Sequence, residues 1–293
     1  MEKLYEQSRL FASILLIIII VAGWFWWSHI YEGSQSVFWG MLNNSLATSA
    51  VTRQVTENAG GQNLNETIVL ELGKNNIARA NTVLSQGMSV VSTETIGTPL
   101  TDYTRYTAAK TATKTTSGKS LNFSKIIGIW SKSATVGIST DPLDHLFGQT
   151  LLGVVPIGNL PPQERISLLN QMKTSNVFSV NYSDVLHGYI KGRSVYIYKV
   201  SVAPVAYAQL LTVFARDEGY NNVPELSTSN YRGDQPLQVQ FAINPASRQL
   251  IEITYSGSNH VELYGDYGVQ PIINIPTHTI STAALEQRLL TIE

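Results

Sequence analysis

The side chains best suited to proton transfer or metal binding in this 293-residue chain are its five histidines, His29, His145, His187, His260 and His278, and no cysteine accompanies them. An imidazole serves as a general acid or base when a carboxylate orients it, and as a metal ligand when partners stand at fixed spacing. Two local pairings offer the first arrangement, Asp144 with His145 and Asp184 with His187. Both are read as solvated loop residues. The second arrangement is missing from the sequence. So are Gly-x-Ser-x-Gly, His-Glu-x-x-His, Gly-x-x-x-x-Gly-Lys-Ser/Thr and Gly-x-Gly-x-x-Gly. The absence of cysteine removes disulfides, thiolate catalysis, zinc-thiolate sites and lipid attachment to a cysteine. The reading is a protein that is not an enzyme, with no cofactor and no metal.

Apolar surface at regular spacing is what the chain offers instead. Ala203 to Glu218 sets Tyr207, Leu210, Leu211 and Phe214 at i, i+3, i+4 and i+7, with Pro204 in the first turn and Gly219 past the end. Asp141 to Leu160 holds Leu146, Phe147, Leu151 and Leu152 among glycines, a packed loop or short helix. Such side chains bind a ligand by removing its methylenes from water, at about 0.8 kcal/mol each. These eight residues are the candidate ligand contacts if space is left beside them. In a filled interior they are plain core.

The elements that must position them alternate in kind. Phe38, Met41, Leu42 and Leu46 give one amphipathic helix over residues 34 to 49. From Val51 to Lys110 the period changes to two, with turn signals at Gly60-Gly61, Gly73 to Asn76, Gln86-Gly87 and Gly97-Thr98-Pro99. Four or five strands joined by such short loops must be antiparallel neighbours. Thr107 to Ser120 is a Thr, Ser and Lys stretch of low complexity. Pro161-Pro162 open a helix carrying Ile166, Leu169 and Met172, and Arg193 to Val202 reads as a strand. Leu237, Val239, Phe241 and Ile243 share a strand face, Asn244 to Ser247 turn, Gln249 to Tyr255 return, and His260 to Tyr264 form a third strand. Residues 281 to 290 close the chain as a short helix. The fold class is α+β, a curved antiparallel sheet or half-barrel with helices on its concave face.

One segment sets the location. Residues 10 to 28 are an uncharged apolar run with Trp24, Trp26 and Trp27 bunched at its C-terminal end. Such a run is long enough to cross a hydrocarbon core of about 30 Å, and the tryptophans match an interfacial belt. A cleaved signal peptide is the competing reading, but no small-x-small site follows the apolar core. The predicted organisation is a cytoplasmic N-terminus over 1–9, a transmembrane signal anchor over 10–31 and an extracytoplasmic domain over 32–293. Lys3 and Arg9 precede the span and no basic residue follows it before Arg53, which puts the N-terminus in the cytoplasm of a single-pass cell-membrane protein. A net charge of −1 with 14% charged residues excludes the basic signature of a nucleic-acid binder.

Two stretches carry a resemblance. Phe241-Ala-Ile-Asn-Pro-Ala-Ser-Arg-Gln-Leu-Ile-Glu-Ile-Thr-Tyr255 and Tyr264-Gly-Asp-Tyr-Gly-Val-Gln-Pro-Ile-Ile-Asn-Ile-Pro276 resemble the C-terminal hairpin of the LppX/LprG lipoproteins, relatives of the LolA lipoprotein carriers. The resemblance implies a half-barrel around an apolar cavity for acyl chains, with helices and loops as a lid. Those relatives are usually anchored by a lipidated cysteine, which this chain lacks, and the span would replace it. The predicted function is noncovalent binding of lipid or lipoprotein acyl chains by a membrane-anchored extracytoplasmic protein. The alternative is a surface interaction or sensor protein that uses the same fold to bind an envelope protein partner.

Overall fold

The computed structural model describes residues 16–21, 23, 33–73, 75–114, 118–134, 145–220 and 223–292. Five ten-residue strands form the first half of the sheet: β1 Ala50–Ala59, β2 Gln62–Glu71, β3 Ile77–Gln86, β4 Ser89–Thr98 and β5 Thr101–Lys110. Each pairs antiparallel with the next. Gly60 and Gly61 turn β1 into β2 with φ of 56° and 81°, the left-handed conformation that a tight hairpin turn requires at both positions.

The second half comprises β6 Ser131–Ala134, β7 Phe178–Val180, β8 Leu186–Ile190, β9 Arg193–Val202, β10 Leu237–Asn244, β11 Gln249–Tyr255, β12 Val261–Gly265 and β13 Ile280–Ser281. Pairing of β1 with β12, Arg53 opposite Tyr264 and Val55 opposite Glu262, joins the halves. The described residues thus form one sheet in the order β13-β6-β5-β4-β3-β2-β1-β12-β11-β10-β9-β7, with β8 folded back on β9. Of these pairings only β13 with β6 is parallel.

Helices α1 Ser34–Ser45, α2 Leu146–Leu151, α3 Pro162–Thr174 and α4 Pro204–Asp217 lie on one face, and α5 Thr282–Leu290 closes the chain. Strand alternation aims Val51, Leu70, Tyr198, Val200, Val239, Phe241 and Ile253 at those helices, where they join Phe38, Met41, Leu42, Phe147, Met172, Leu210 and Phe214 in one core. Close approach depends on glycine at several positions. A Cβ on Gly40 of α1 would strike the Arg248 side chain, and one on Gly97 of β4 would stand 2.9 Å from the Phe147 amide nitrogen of α2. A small second cluster, Val195, Ala242 and Ile251 with Ile190 and Ile197, sits on the opposite face of the sheet under β8.

The α+β class with a large open, curved antiparallel sheet agrees with the sequence reading and fits a half-barrel. Some details differ. The predicted first helix stops at Ser45 instead of reaching residue 49, because Leu46 and Ala47 turn away and Thr48 and Leu72 pair with neighbouring backbone. In α3 the buried stripe is Leu168 and Met172, whereas Ile166 is 52% exposed. The short strands β6, β7, β8 and β13 escaped the sequence reading. Most of the predicted span over 10–31 lies outside the described residues. Residues 16–21 and 23 within it are helical and exposed, and no helix among the described residues is long and apolar enough to cross a membrane.

Candidate functional site

Strand β9 ends at Val202, opposite Leu237 at the start of β10, and the chain turns at Ala203 directly into α4. Pro204 at the first turn fits because its missing N–H is one that a helix start leaves unbonded. This tight connection lays α4 against the sheet at its C-terminal turns, where Leu210 and Phe214 are fully buried. Its first turns stand over a cavity of about 540 Å³. Tyr207, Ala208 and Leu211 form the helical wall, Leu152 and Val154 the loop wall, and Val202 and Leu237 the floor. Leu226, Tyr231, Asp234 and Gln235, from the segment that leads into β10, close the remaining side.

The polar residues of this cavity mark its mouth. Asp234 and Gln235 are exposed and Tyr231 is half-buried, while Leu152, Val202, Ala208, Leu211 and Leu226 are buried. Tyr207 is an exception, because its hydroxyl donates to the Gly153 carbonyl and burial pushes its phenol well above the ordinary range. The hydroxyl therefore anchors the loop wall as a neutral donor.

Of the eight residues proposed from the sequence, Leu152, Tyr207 and Leu211 line the cavity. Phe147, Leu151, Leu210 and Phe214 are fully buried in the core, and Leu146 is half-buried against it. Helical geometry explains the division. Tyr207 and Leu211 form one i, i+4 row of α4 and Leu210 and Phe214 the adjacent row, so only the first faces the hollow. Val154, Val202, Leu226 and Leu237 were missed. They come from separate segments of the chain, and the pairing of β9 with β10 sets Val202 opposite Leu237.

Beside the cavity the inward face of the sheet turns polar. Glu262 of β12 accepts hydrogen bonds from the Tyr264 hydroxyl and, at 2.9 Å, from the Tyr255 hydroxyl. It also lies 3.1 Å from His260 Nε2 and 3.8 Å from Arg53. Burial opposes ionisation of Glu262, but Arg53, Tyr264, His260 and Tyr255 outweigh it and hold its carboxyl below the usual range. Burial likewise opposes the Arg53 charge, and Tyr264 and Glu262 outweigh it. The other nitrogen of His260 is 3.1 Å from Glu57. This network is a structural pairing of buried charges on β1, β11, β12 and the residue that leads into β12.

The pairing of Asp184 with His187 drawn from the sequence does not form a site. Asp184 accepts from Asn181, whereas His187 stacks on Tyr196 with ring centroids 4.3 Å apart. Asp144 lies outside the described residues. His145 corrects the expectation of a solvated side chain: it is buried, 3.5 Å from Asp102. Asp102 also accepts from the Leu146 amide at the start of α2. An acid there satisfies an otherwise unbonded helix donor, which is a reason for burying the pair. No group of three or more metal-ligating side chains is found among the described residues.

Two other hollows differ in kind. One of about 840 Å³ is an open groove beside the start of α1, between Trp39, Lys173, Tyr182 and Arg248. The other, of about 220 Å³, has mixed walls that include Lys191, Arg193 and Asp266. Neither has the mostly apolar lining of the cavity under α4, which makes that cavity the candidate site.

No protein-family model matches the sequence, and no curated protein matches it. The local residues of the hairpin nevertheless have structural reasons. Asn244 Oδ1 accepts from the Ala246 and Ser247 amides, which fixes the β10–β11 turn. Tyr264 enters the Glu262 network, and the Tyr267 hydroxyl donates to the Leu250 carbonyl at 2.8 Å.

Proposed function

We propose that this chain is a membrane-anchored extracytoplasmic protein that binds the acyl chain of a lipid or lipoprotein, without catalysis, in the cavity under α4. The observation that carries the reading is the hollow of about 540 Å³ walled by Leu152, Val154, Val202, Ala208, Leu211 and Leu237. Its size falls within the range of about 300–1,000 Å³ typical of small-ligand sites. Apolar burial is the only strong force such walls provide, so the ligand must present methylenes. The half-barrel-like sheet and the LppX/LprG-like hairpin fit this use. The apolar run over residues 10 to 28 supplies the anchor, single-pass with a cytoplasmic N-terminus, and fixes the protein at the membrane where acyl ligands reside.

The test uses the full chain in nanodiscs with a photoactivatable alkyl probe. Irradiation labels peptides containing Leu152, Leu211 and Leu237, and unlabelled lipid competes the labelling away. Labelling confined to the N-terminal apolar segment refutes the cavity as a binding site.

A second reading has its own observation. After Gly268 the chain runs without regular structure past Val269, Ile272 and Ile275, which are 62%, 83% and 48% exposed. An extended apolar edge of this kind suits binding of an envelope protein partner. Cross-linking from position 272 to another protein, with no probe in the cavity, would favour it.

A further inference from the structure

Charge at the cavity mouth narrows the class of ligand. Among the described residues the lining holds one ionisable acid, Asp234, together with Tyr207, Tyr231 and the Gln235 amide, and no lysine, arginine or histidine. Arg53 stands behind the loop wall, with a guanidinium nitrogen 3.4 Å from where a Cβ on Gly153 would lie. Its charge is balanced by Glu262 at 3.8 Å and it does not line the cavity. Arg232 is exposed in the same segment as Asp234 but is likewise outside the lining. A ligand seated with its tail between Leu211 and Leu237 leaves its polar end among Tyr231, Asp234 and Gln235.

A carboxylate or phosphate placed there would meet another negative charge, with no cation in the described lining to offset the repulsion. An ammonium would be attracted to Asp234, and a hydroxyl or ester would meet donors and acceptors at no charge cost. On the acyl-binding reading above, on which this rests, we infer that the cavity selects amphiphiles with an amine-bearing or uncharged polar end and rejects those with an anionic one. Free fatty acids are therefore poor ligands, and acyl chains linked through esters, amides or amino headgroups are good ones.

The experiment compares three photoactivatable probes of equal chain length, an alkyl amine, an alcohol and a carboxylate, on the full chain in phosphatidylcholine nanodiscs. Labelling of cavity peptides is normalised to the amount of each probe in the bilayer. The amine and the alcohol are expected to label severalfold more strongly than the carboxylate, because Asp234 is exposed and its field is partly screened by water. Asp234→Asn is expected to reduce the amine severalfold and leave the alcohol unchanged, and Asp234→Lys to bring the carboxylate above the amine. Asp234 is exposed, so neither variant threatens folding. Carboxylate labelling equal to the amine in the unaltered protein overturns the headgroup assignment while leaving the acyl site standing. Failure of all three probes to reach the cavity overturns the acyl site and this inference with it.

Discussion

Helices α1 and α4 rest on the same inner face of one sheet, yet one is sealed to it and the other is not. Under α1, Phe38 stacks on Phe241 with centroids 6.2 Å apart and meets Trp39, Phe178 and Tyr182 edge-on, and Phe38, Met41 and Leu42 are fully buried. Under the first turns of α4, wall residues of similar apolarity surround about 540 Å³. The difference lies in the size and origin of the side chains. Aromatic rings from α1, β7, β9 and β10 interlock, whereas Ala208, Leu211, Val202 and Leu237 are too short to meet across the gap. Apolar composition therefore does not distinguish a filled interior from a hollow, and residual volume does.

The contrast can be broken most severely at its filled end. Phe38→Ala is expected to cost about 3–5 kcal/mol, because the rings around it cannot close the gap. Leu211→Ala, which only enlarges an existing hollow, should cost about 2 kcal/mol, the low end of the range of about 2–5 kcal/mol for buried leucines. Thermal unfolding of the full chain in nanodiscs measures both. Equal losses would mean that the hollow is packed in solution.

The polar strip beside the cavity gives the next largest effect. Glu262→Leu leaves Arg53 buried without its carboxylate and should destabilise by about 3 kcal/mol. The double variant Arg53→Met with Glu262→Leu should recover most of that loss. If the double variant is no better than the single one, the cost comes from the severed tyrosine hydrogen bonds and not from an orphaned charge.

Filling the hollow reverses the sign. Ala208→Phe places a ring where the wall is short, and a stability change within about 1 kcal/mol is expected, since overpacking is avoided where space exists. Labelling by the alkyl probes should fall at least about tenfold, as roughly 1.4 kcal/mol of lost burial suffices. Unchanged labelling would show that the acyl chain sits elsewhere.

How much of this contrast the residues announce depends on the range of the interaction. Local signals sufficed for β1 to β5, β9 to β11 and α4, where period, proline and glycine stand together in sequence. They also brought Tyr207 and Leu211 forward. They could not separate that row from Leu210 and Phe214, since both rows are equally apolar and only the position of the sheet decides which faces space. Nor could they join β1 to β12, a pairing across some two hundred residues of chain. His145 was misread for the same reason, because Asp102, 3.5 Å from it, lies in β5, more than forty residues earlier in the chain. The strands β6, β7 and β13 are short enough that pairing, not propensity, makes them strands.

The smallest effect concerns the anchored end of α4 and its response to pH. Glu218 caps this helix, where the unbonded carbonyls already disfavour negative charge. Burial first, and then Glu164 and Asp217, push its carboxyl up to about 7, against a hydrogen bond from the Asn159 amide. The folded chain thus holds this proton more tightly than the unfolded chain, whose value is 4.5. Between these two values the unfolded state binds fewer protons, so stability is fully present at the acid end and is lost as pH rises through about 7. Glu262 acts in the opposite sense: its carboxyl is depressed in the folded chain, so its contribution is present above 4.5 and lost as pH falls below that. Thermal unfolding between about pH 5 and pH 8 should therefore show a falling limb in the unaltered chain that Glu218→Gln flattens. Glu262 cannot mimic that limb, because its own titration lies below this window. A limb that survives in Glu218→Gln would assign the proton elsewhere and leave the end of α4 indifferent to pH. Loss of the limb would show that the sealed end of α4 tightens in acid through the proton on Glu218.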